Sequence, residues 1–191
     1  KIEDEVFVAA ALASLVEASK EQERAKREEF NDLLAYKDPM LLLYQAMNNF
    51  PKNAKIQADA FLLARSVLVS GKVKLDKGVK EVELTKKCVI GMNVHKQDKV
   101  TQFFAVLLLG TLAQRSSLEY KKAAFDMKVA QSIVNSLQMH PVAELLHRYS
   151  FWTIGIFLLD SDTELKQLWW SAGLPTIVLK SMKTHQISKD V

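Results

Sequence analysis

The chain has 191 residues, of which 49% are hydrophobic and 25% are charged. This composition predicts a folded protein with a sizeable core and argues against disorder. The longest apolar runs, at 6–13 and 103–109, are far shorter than the roughly 18 to 20 residues that a membrane-spanning helix requires. We therefore expect a protein without a membrane span.

The cysteine content and the start of the sequence bear on the compartment. Cys88 is the only cysteine, which excludes an intrachain disulfide and suits a reducing environment. The sequence starts at Lys1 without a methionine and shows no signal peptide or transit sequence. We expect an intracellular protein, cytoplasmic by default, or mitochondrial if a leader was cleaved before Lys1.

The net charge of +4 is unevenly distributed. Residues 71–99 contain eight lysines and four acidic residues, which accounts for the whole excess, whereas residues 1–37 are acidic. Six lysines form a basic patch: Lys72, Lys74, Lys77, Lys80, Lys86 and Lys87. Such a patch suits a solvated surface, an acidic protein, or nucleic acid or anionic lipid. The absence of arginine and of stacking aromatic residues from this segment makes nucleic acid the weaker interpretation.

Apolar residues at helical spacing, punctuated by proline and glycine, predict an all-α chain without strands. The predicted helices cover 1–17, 20–35, 39–50, 53–70, 84–95, 98–114, 118–128, 129–140 and 141–160, with a final pair within 162–185. Residues 72–83 are predicted to be a loop with a short helix. Proline at position 141 is expected in the first turn of its helix. From Tyr149 onward that helix is apolar nearly all round, so we expect it to be covered on both sides.

A fixed offset of 45 residues relates these helices. It connects His95, His140 and His185, and it also connects Met47, Met92, Leu137 and Met182. Gly110 matches Gly155 inside the long helices, where glycine costs about 1 kcal/mol relative to alanine. We expect a neighbouring helix to approach closely at both glycines.

Residues 144–159 and 162–185 carry a resemblance to a known family. Ala172-Gly173 followed by Leu174-Pro175 resembles the start of the second helix of an armadillo repeat, and Trp152 matches the usual tryptophan of its third helix. HEAT repeats are the runner-up, but the connectors at 118–128 and 163–172 favour a three-helix unit. The resemblance implies one domain over 1–191, a right-handed α-solenoid. It comprises a third helix at 1–17, repeats at about 20–70, 78–115 and 118–159, and an incomplete repeat at 163–191.

The resemblance also implies that third helices line a concave groove for partner proteins. The tryptophan column of the family falls on Leu62, Leu107 and Trp152, and its peptide-binding asparagine column falls on Ser66, Thr111 and Ile156. Serine and threonine offer less to a peptide unit than asparagine, and isoleucine offers nothing. The resemblance therefore favours a hydrophobic or helical partner over an extended peptide.

Other candidate residues have structural interpretations. The repeated histidines should lie on layers about 8 to 10 Å apart, too far for one metal ion, and they suit helix ends. Cys88 is expected to be a buried small residue. Of the adjacent Trp169 and Trp170, one can enter the core and the other is a candidate interface anchor, or an unseen element buries both. No catalytic motif is present, and we expect no cofactor or metal.

These observations predict a non-enzymatic scaffold or adaptor for protein–protein interaction, or a structural subunit of a larger complex. Its partners would meet the concave face and the terminal helices, whose apolar faces lack a cap. Two alternatives remain. One is a basic helical-repeat protein that binds nucleic acid, suggested by the lysine patch. The other is a chaperone cofactor, which rests on analogy of fold alone.

Overall fold

The structure is a computed structural model that describes residues 4–19, 39–70 and 79–185. Within these residues it contains ten α-helices and no strand, so the all-α prediction is confirmed there. The helices are α1 (Glu5–Ser19), α2 (Pro39–Asn49), α3 (Ala54–Ser70), α4 (Val79–Val94), α5 (Lys99–Arg115), α6 (Leu118–Asp126), α7 (Val129–Met139), α8 (Glu144–Leu158), α9 (Thr163–Ser171) and α10 (Leu174–His185). No helix in the described part of the chain has both the length and the apolar character to cross a membrane.

The 45-residue spacing recurs in the helix boundaries. Helices α3, α5 and α8 begin at residues 54, 99 and 144, α6 and α9 begin at 118 and 163, and α7 and α10 begin at 129 and 174. A left-handed residue precedes both α7 and α10. It is Lys128 with φ 67° before α7 and Gly173 with φ 97° before α10. The same turn therefore joins a nine-residue helix to a longer one in two successive units.

The helices form two layers. The long helices α1, α3, α5 and α8 pack side by side in that order, and α2, α4 and α7 each pack on the long helix that follows. In the second layer α7 contacts both α4 and α10. One contiguous set of buried apolar residues runs between the layers, from Val8 in α1 to Ile177 in α10.

Repeated hydrogen bonds join successive units. His95 Nε2 lies 2.8 Å from the Pro51 carbonyl oxygen, and His140 Nε2 lies 2.8 Å from the Lys96 carbonyl oxygen. Each imidazole therefore contacts the turn of the preceding unit as well as ending its own helix. The conserved spacing of these histidines reflects contacts between units, and neither ring is part of a metal cluster in the described residues.

Two predicted boundaries were wrong. Helix α4 begins at Val79, so the end of the predicted loop is helical. The reason is that no proline or glycine occurs between Val79 and Gly91. Pro141 precedes α8 and does not belong to its first turn. The Ala143 N–H donates to the His140 carbonyl at 3.1 Å, which closes a turn that leaves Val142 81% exposed.

The two helix glycines have different surroundings. A Cβ on Gly110 would overlap the Trp152 ring and lie 2.5 Å from Thr153 Oγ1, so the predicted close approach of a helix is confirmed there. At Gly155 the prediction was wrong, because no described atom lies within 4 Å of a Cβ built on it. The same repeat position is thus covered in α5 and open in α8.

Candidate functional site

The six residues expected on the concave face differ in exposure. Trp152 is 38% exposed, and Leu62, Ser66 and Ile156 are half-buried. Leu107 and Thr111 are buried, at 7% and 4% exposure, so they offer a partner little surface. The Thr111 hydroxyl donates to the Leu107 carbonyl at 3.0 Å, and Ser66 makes the equivalent bond to Leu62 at 3.0 Å. These hydroxyls are therefore satisfied within their own helices.

An exposed apolar surface lies between the N-terminal halves of α5 and α8. A groove of about 410 Å³ runs there, which we call the α5–α8 groove, and it is lined by Lys99, Val100, Phe103, Phe104, Ala143, Glu144, Leu145 and Leu146. Val100 is 45% exposed and Leu145 is 60% exposed. The Tyr149 ring meets Phe103 edge-on, with centroids 5.5 Å apart, and extends the apolar surface along α8. The predicted cover on both sides of this helix from Tyr149 onward is therefore wrong at Tyr149 and Trp152, which are 37% and 38% exposed.

The repeat register explains why the groove is confined to this junction. Val100 and Leu145 occupy one repeat position, and Phe104 and Tyr149 occupy another. In α3 the same two positions hold Lys55 and Asp59, whose Nζ and Oδ2 atoms form an ion pair at 2.8 Å. The apolar surface therefore ends at α3. Comparing columns at the 45-residue offset would have shown this signal, whereas helical periodicity alone does not separate exposed from buried apolar residues.

Several contacts hold the walls of the groove in place. The Trp152 ring lies over Gly110, and Thr153 Oγ1 donates to the Val106 carbonyl of α5 at 3.0 Å. At the other end of α8, the buried Lys121 Nζ donates to the Ile156 carbonyl at 2.8 Å. A cation at the negative end of a helix is stabilising. Helix α8 is therefore fixed along its length against α5 and α6.

The rim of the groove carries one positively and one negatively charged side chain. Lys99 lies in the first turn of α5 and Glu144 in the first turn of α8, and both side chains are exposed. Phe103 and Phe104 form a tilted ring pair at 5.3 Å between them and the groove interior. The arrangement offers an apolar floor with one cationic and one anionic group at its edge. It suits a protein segment with apolar side chains better than a strongly charged polymer.

The described part of the basic patch is engaged in local contacts. Lys86 Nζ lies 2.8 Å from Glu83 Oε1, and Lys87 donates to Asn48 Oδ1 of α2. Lys80 lies in the first turn of α4. The other predicted members, Lys72, Lys74 and Lys77, lie outside the described residues. Two lysines of the patch, Lys86 and Lys87, thus have polar partners within the described residues.

The two adjacent tryptophans divide between core and surface, as one of the interpretations predicted. Trp169 is 1% exposed, and its ring lies 5.6 Å from that of Phe157. Trp170 is 70% exposed. The predicted surface ring is therefore available for contact, and its role as an interface anchor stays a prediction.

Cys88 is fully buried, which confirms its predicted place in the core. Burial raises the pKa of its thiol far above the ordinary value, so it stays protonated. A thiol in this state is a poor nucleophile. Cys88 therefore contributes packing between α4 and its neighbours.

His147 is the one histidine of α8 and is 3% exposed. Its Nδ1 lies 2.7 Å from Ser181 Oγ, and its Nε2 lies 3.1 Å from the His140 carbonyl oxygen. The His185 ring is 4.8 Å away between centroids. Burial, and next the nearby His185 and His140, lower the pKa of His147, while its bonds to backbone carbonyls oppose the shift. The folded state therefore favours the neutral ring.

This lowered pKa predicts a loss of stability in acid. As pH falls through about 6.5, the unfolded chain takes up a proton at His147 before the folded chain does, so the free energy of unfolding decreases. We expect His147→Gln, which introduces the residue found at positions 57 and 102, to weaken this dependence. The check is the Tm of both proteins at about pH 7.5 and pH 5.5, where each kcal/mol is worth about 2 to 4 °C. The other histidines are common to both, so equal pH dependence would contradict the prediction.

No protein-family model, no curated protein and no solved structure matches this chain. The 45-residue spacing and the α5–α8 groove are therefore the features from which its function is inferred.

Proposed function

We propose that the protein is a non-enzymatic interaction module of the armadillo type, a right-handed α-solenoid that acts as a scaffold, an adaptor or a subunit of a larger complex. The recurrence of helix starts every 45 residues supports it. The short helices α6 and α9 between units support a three-helix repeat over the two-helix HEAT unit. The layer of α3, α5 and α8 then forms the concave face.

The observation that carries this proposal is the α5–α8 groove. Isolated exposed apolar residues are ordinary, whereas a contiguous apolar groove on a folded domain marks an interaction site. Val100 and Phe103 line it from α5, and Leu145 lines it from α8. A partner that buries an apolar or aromatic side chain among them would desolvate a surface that is now open to water. We propose a hydrophobic or helical segment of another protein as this partner.

Introduction of a charge at one position tests the groove. Leu145→Glu puts a carboxylate on the apolar wall, so a partner would have to desolvate a charge, and we expect its retention to fall by about tenfold or more. The measurement is affinity purification of the full-length tagged protein from its own cells, with quantitative mass spectrometry and light scattering of the recovered species.

Leu179→Glu is the matched control, because Leu179 is 62% exposed on α10, away from the groove, and Leu145 is 60% exposed. Both variants should have the wild-type Tm. A partner retained equally by both variants would contradict the groove as its binding site. Recovery of the wild-type protein as a free monomer, with no stoichiometric partner, would contradict the permanent-subunit form of the proposal.

A further inference from the structure

Among the described residues, nothing covers the side of α8 that faces away from α5, whereas the equivalent side of α5 is covered by α8. We call Phe151, Gly155 and Leu158 the outer face of α8; Gly155 is exposed and the other two are half-buried. The residues at the same repeat positions of α5 are all buried, namely Val106, Gly110 and Ala113. The chain therefore contains one covered and one open copy of the same surface.

The covered copy, on α5, shows which side chains fit this surface. Gly110 leaves room for the Trp152 ring, and a Cβ there would overlap it. Thr153 follows Trp152 directly and donates its hydroxyl to the Val106 carbonyl at 3.0 Å. The contact thus consists of a large ring over a glycine and a hydroxyl on the carbonyl four residues before that glycine.

The open copy, on the outer face of α8, retains the two parts of α5 that this contact uses, the glycine and the carbonyl four residues before it. We call these two groups the seat. Gly155 stands at the position of Gly110, and nothing among the described residues lies within 4 Å of a Cβ built on it. The carbonyl four residues earlier belongs to Phe151. Glycine weakens a helix interior relative to alanine, and no contact in the described part of the chain uses the room it provides.

We propose that the outer face of α8 binds an α-helix of a partner protein, laid alongside α8 as α8 lies alongside α5. The partner helix places a large aromatic side chain over Gly155. The next residue is serine or threonine, and its hydroxyl donates to the Phe151 carbonyl. Leu158 and the Phe151 side chain provide the apolar flanks. This inference rests on the proposed interaction function but uses a surface separate from the α5–α8 groove.

A designed helical peptide tests the seat on the full-length chain. The peptide is lactam-stapled, carries a fluorophore, and has alanine, glutamate and lysine at all positions except those whose contacts with α5 the structure gives. Those retained are Leu146, Tyr149, Trp152 and Thr153 at their natural spacing. We expect saturable binding by fluorescence anisotropy. Replacing the tryptophan and threonine of the peptide with alanine should weaken binding by about tenfold or more.

Two variants of the chain locate the binding. Gly155→Leu fills the seat, and Ala10→Leu adds the same side chain at an exposed position of α1. Both should keep the wild-type circular dichroism, and neither should lower the Tm; Gly155→Leu should raise it slightly, because leucine is the better helix former. We expect Gly155→Leu to raise the Kd of the peptide by about tenfold or more and Ala10→Leu to leave it unchanged. Absence of saturable binding to the wild-type chain, or equal binding by Gly155→Leu, would overturn the proposal.

Sedimentation of the chain alone tests a different occupant. Self-association that Gly155→Leu abolishes would identify a second copy of this chain as the occupant and would overturn the partner-helix proposal. Leu145→Glu separates this inference from the proposed function. It should release a groove partner and leave peptide binding intact, so failure at one surface is distinguishable from failure at the other.

Discussion

Trp169→Ala should destabilise the protein by about 3 to 5 kcal/mol, the cost of removing a large buried ring and leaving a cavity. Trp169 is 1% exposed at the end of α9 and packs against Phe157 of α8. Its indole Nε1 has no hydrogen-bond partner among the described residues, so the loss comes from packing and not from a broken bond. A domain is stable by only about 5 to 15 kcal/mol, so this variant loses a large share of the total.

The neighbouring Trp170→Ala provides the control. Trp170 is 70% exposed on the same helix, and its removal should change the free energy of unfolding by no more than about 0.5 kcal/mol. Denaturant unfolding of the three proteins measures both effects. Equal losses in the two variants would show that both rings are buried, or that neither is.

Within the described residues the pattern in the sequence was sufficient for the helices and their order, because the 45-residue offset repeats a weak local signal in successive units. The helix predicted at 20–35 lies outside the described residues. It was insufficient at boundaries where the backbone chooses between a turn and a first helical turn. Pro141 is compatible with either, and hydrogen bonds to the His140 and Val142 carbonyls select the turn. At Val79 the preceding glycine suggested a loop, yet the residues that follow have no helix breaker until Gly91.

The candidate site was harder to predict from the sequence than the fold was. Trp152 was identified through its resemblance to the tryptophan of armadillo repeats, and its ring is partly exposed. Leu107 stands at the same repeat position but is buried, at 7% exposure. The exposure of an apolar side chain depends on which helix packs beside it. The sequence alone therefore does not distinguish an apolar residue of the core from one that lines a groove. The groove forms where Val100 and Leu145, which share one repeat position, lie on adjacent helices. Comparison at the 45-residue offset contains this signal, whereas helical periodicity alone does not.

The second large effect on stability is expected at a buried glutamine that recurs at one repeat position. Gln102 is 1% exposed, and its Nε2 donates to the carbonyl oxygens of Met92 and His95, both at 2.9 Å. Gln57 makes the same pair of bonds one unit earlier. The amide thus joins the start of one long helix to the end of the helix before it.

Gln102→Leu should therefore cost about 2 to 4 kcal/mol, because two buried carbonyls lose a donor and leucine only replaces the volume. Gln97→Leu in the adjacent turn is the control, since Gln97 is exposed and should be nearly neutral. Urea unfolding of both variants provides the comparison. A loss below that of Gln97→Leu would contradict the assignment of these bonds as stabilising.

Gln102→His tests whether the hydrogen bonds at this position, and not the amide group itself, provide the stability. One unit later the same position is His147, which bonds a turn carbonyl through Nε2 and Ser181 Oγ through Nδ1. The counterpart of Ser181 is Ser136, which is buried and whose hydroxyl has no partner among the described residues. A histidine at 102 would face both of these groups, so Gln102→His should retain most of the stability that Gln102→Leu loses at neutral pH. It should then acquire a loss of stability in acid, because a second buried neutral imidazole would be present.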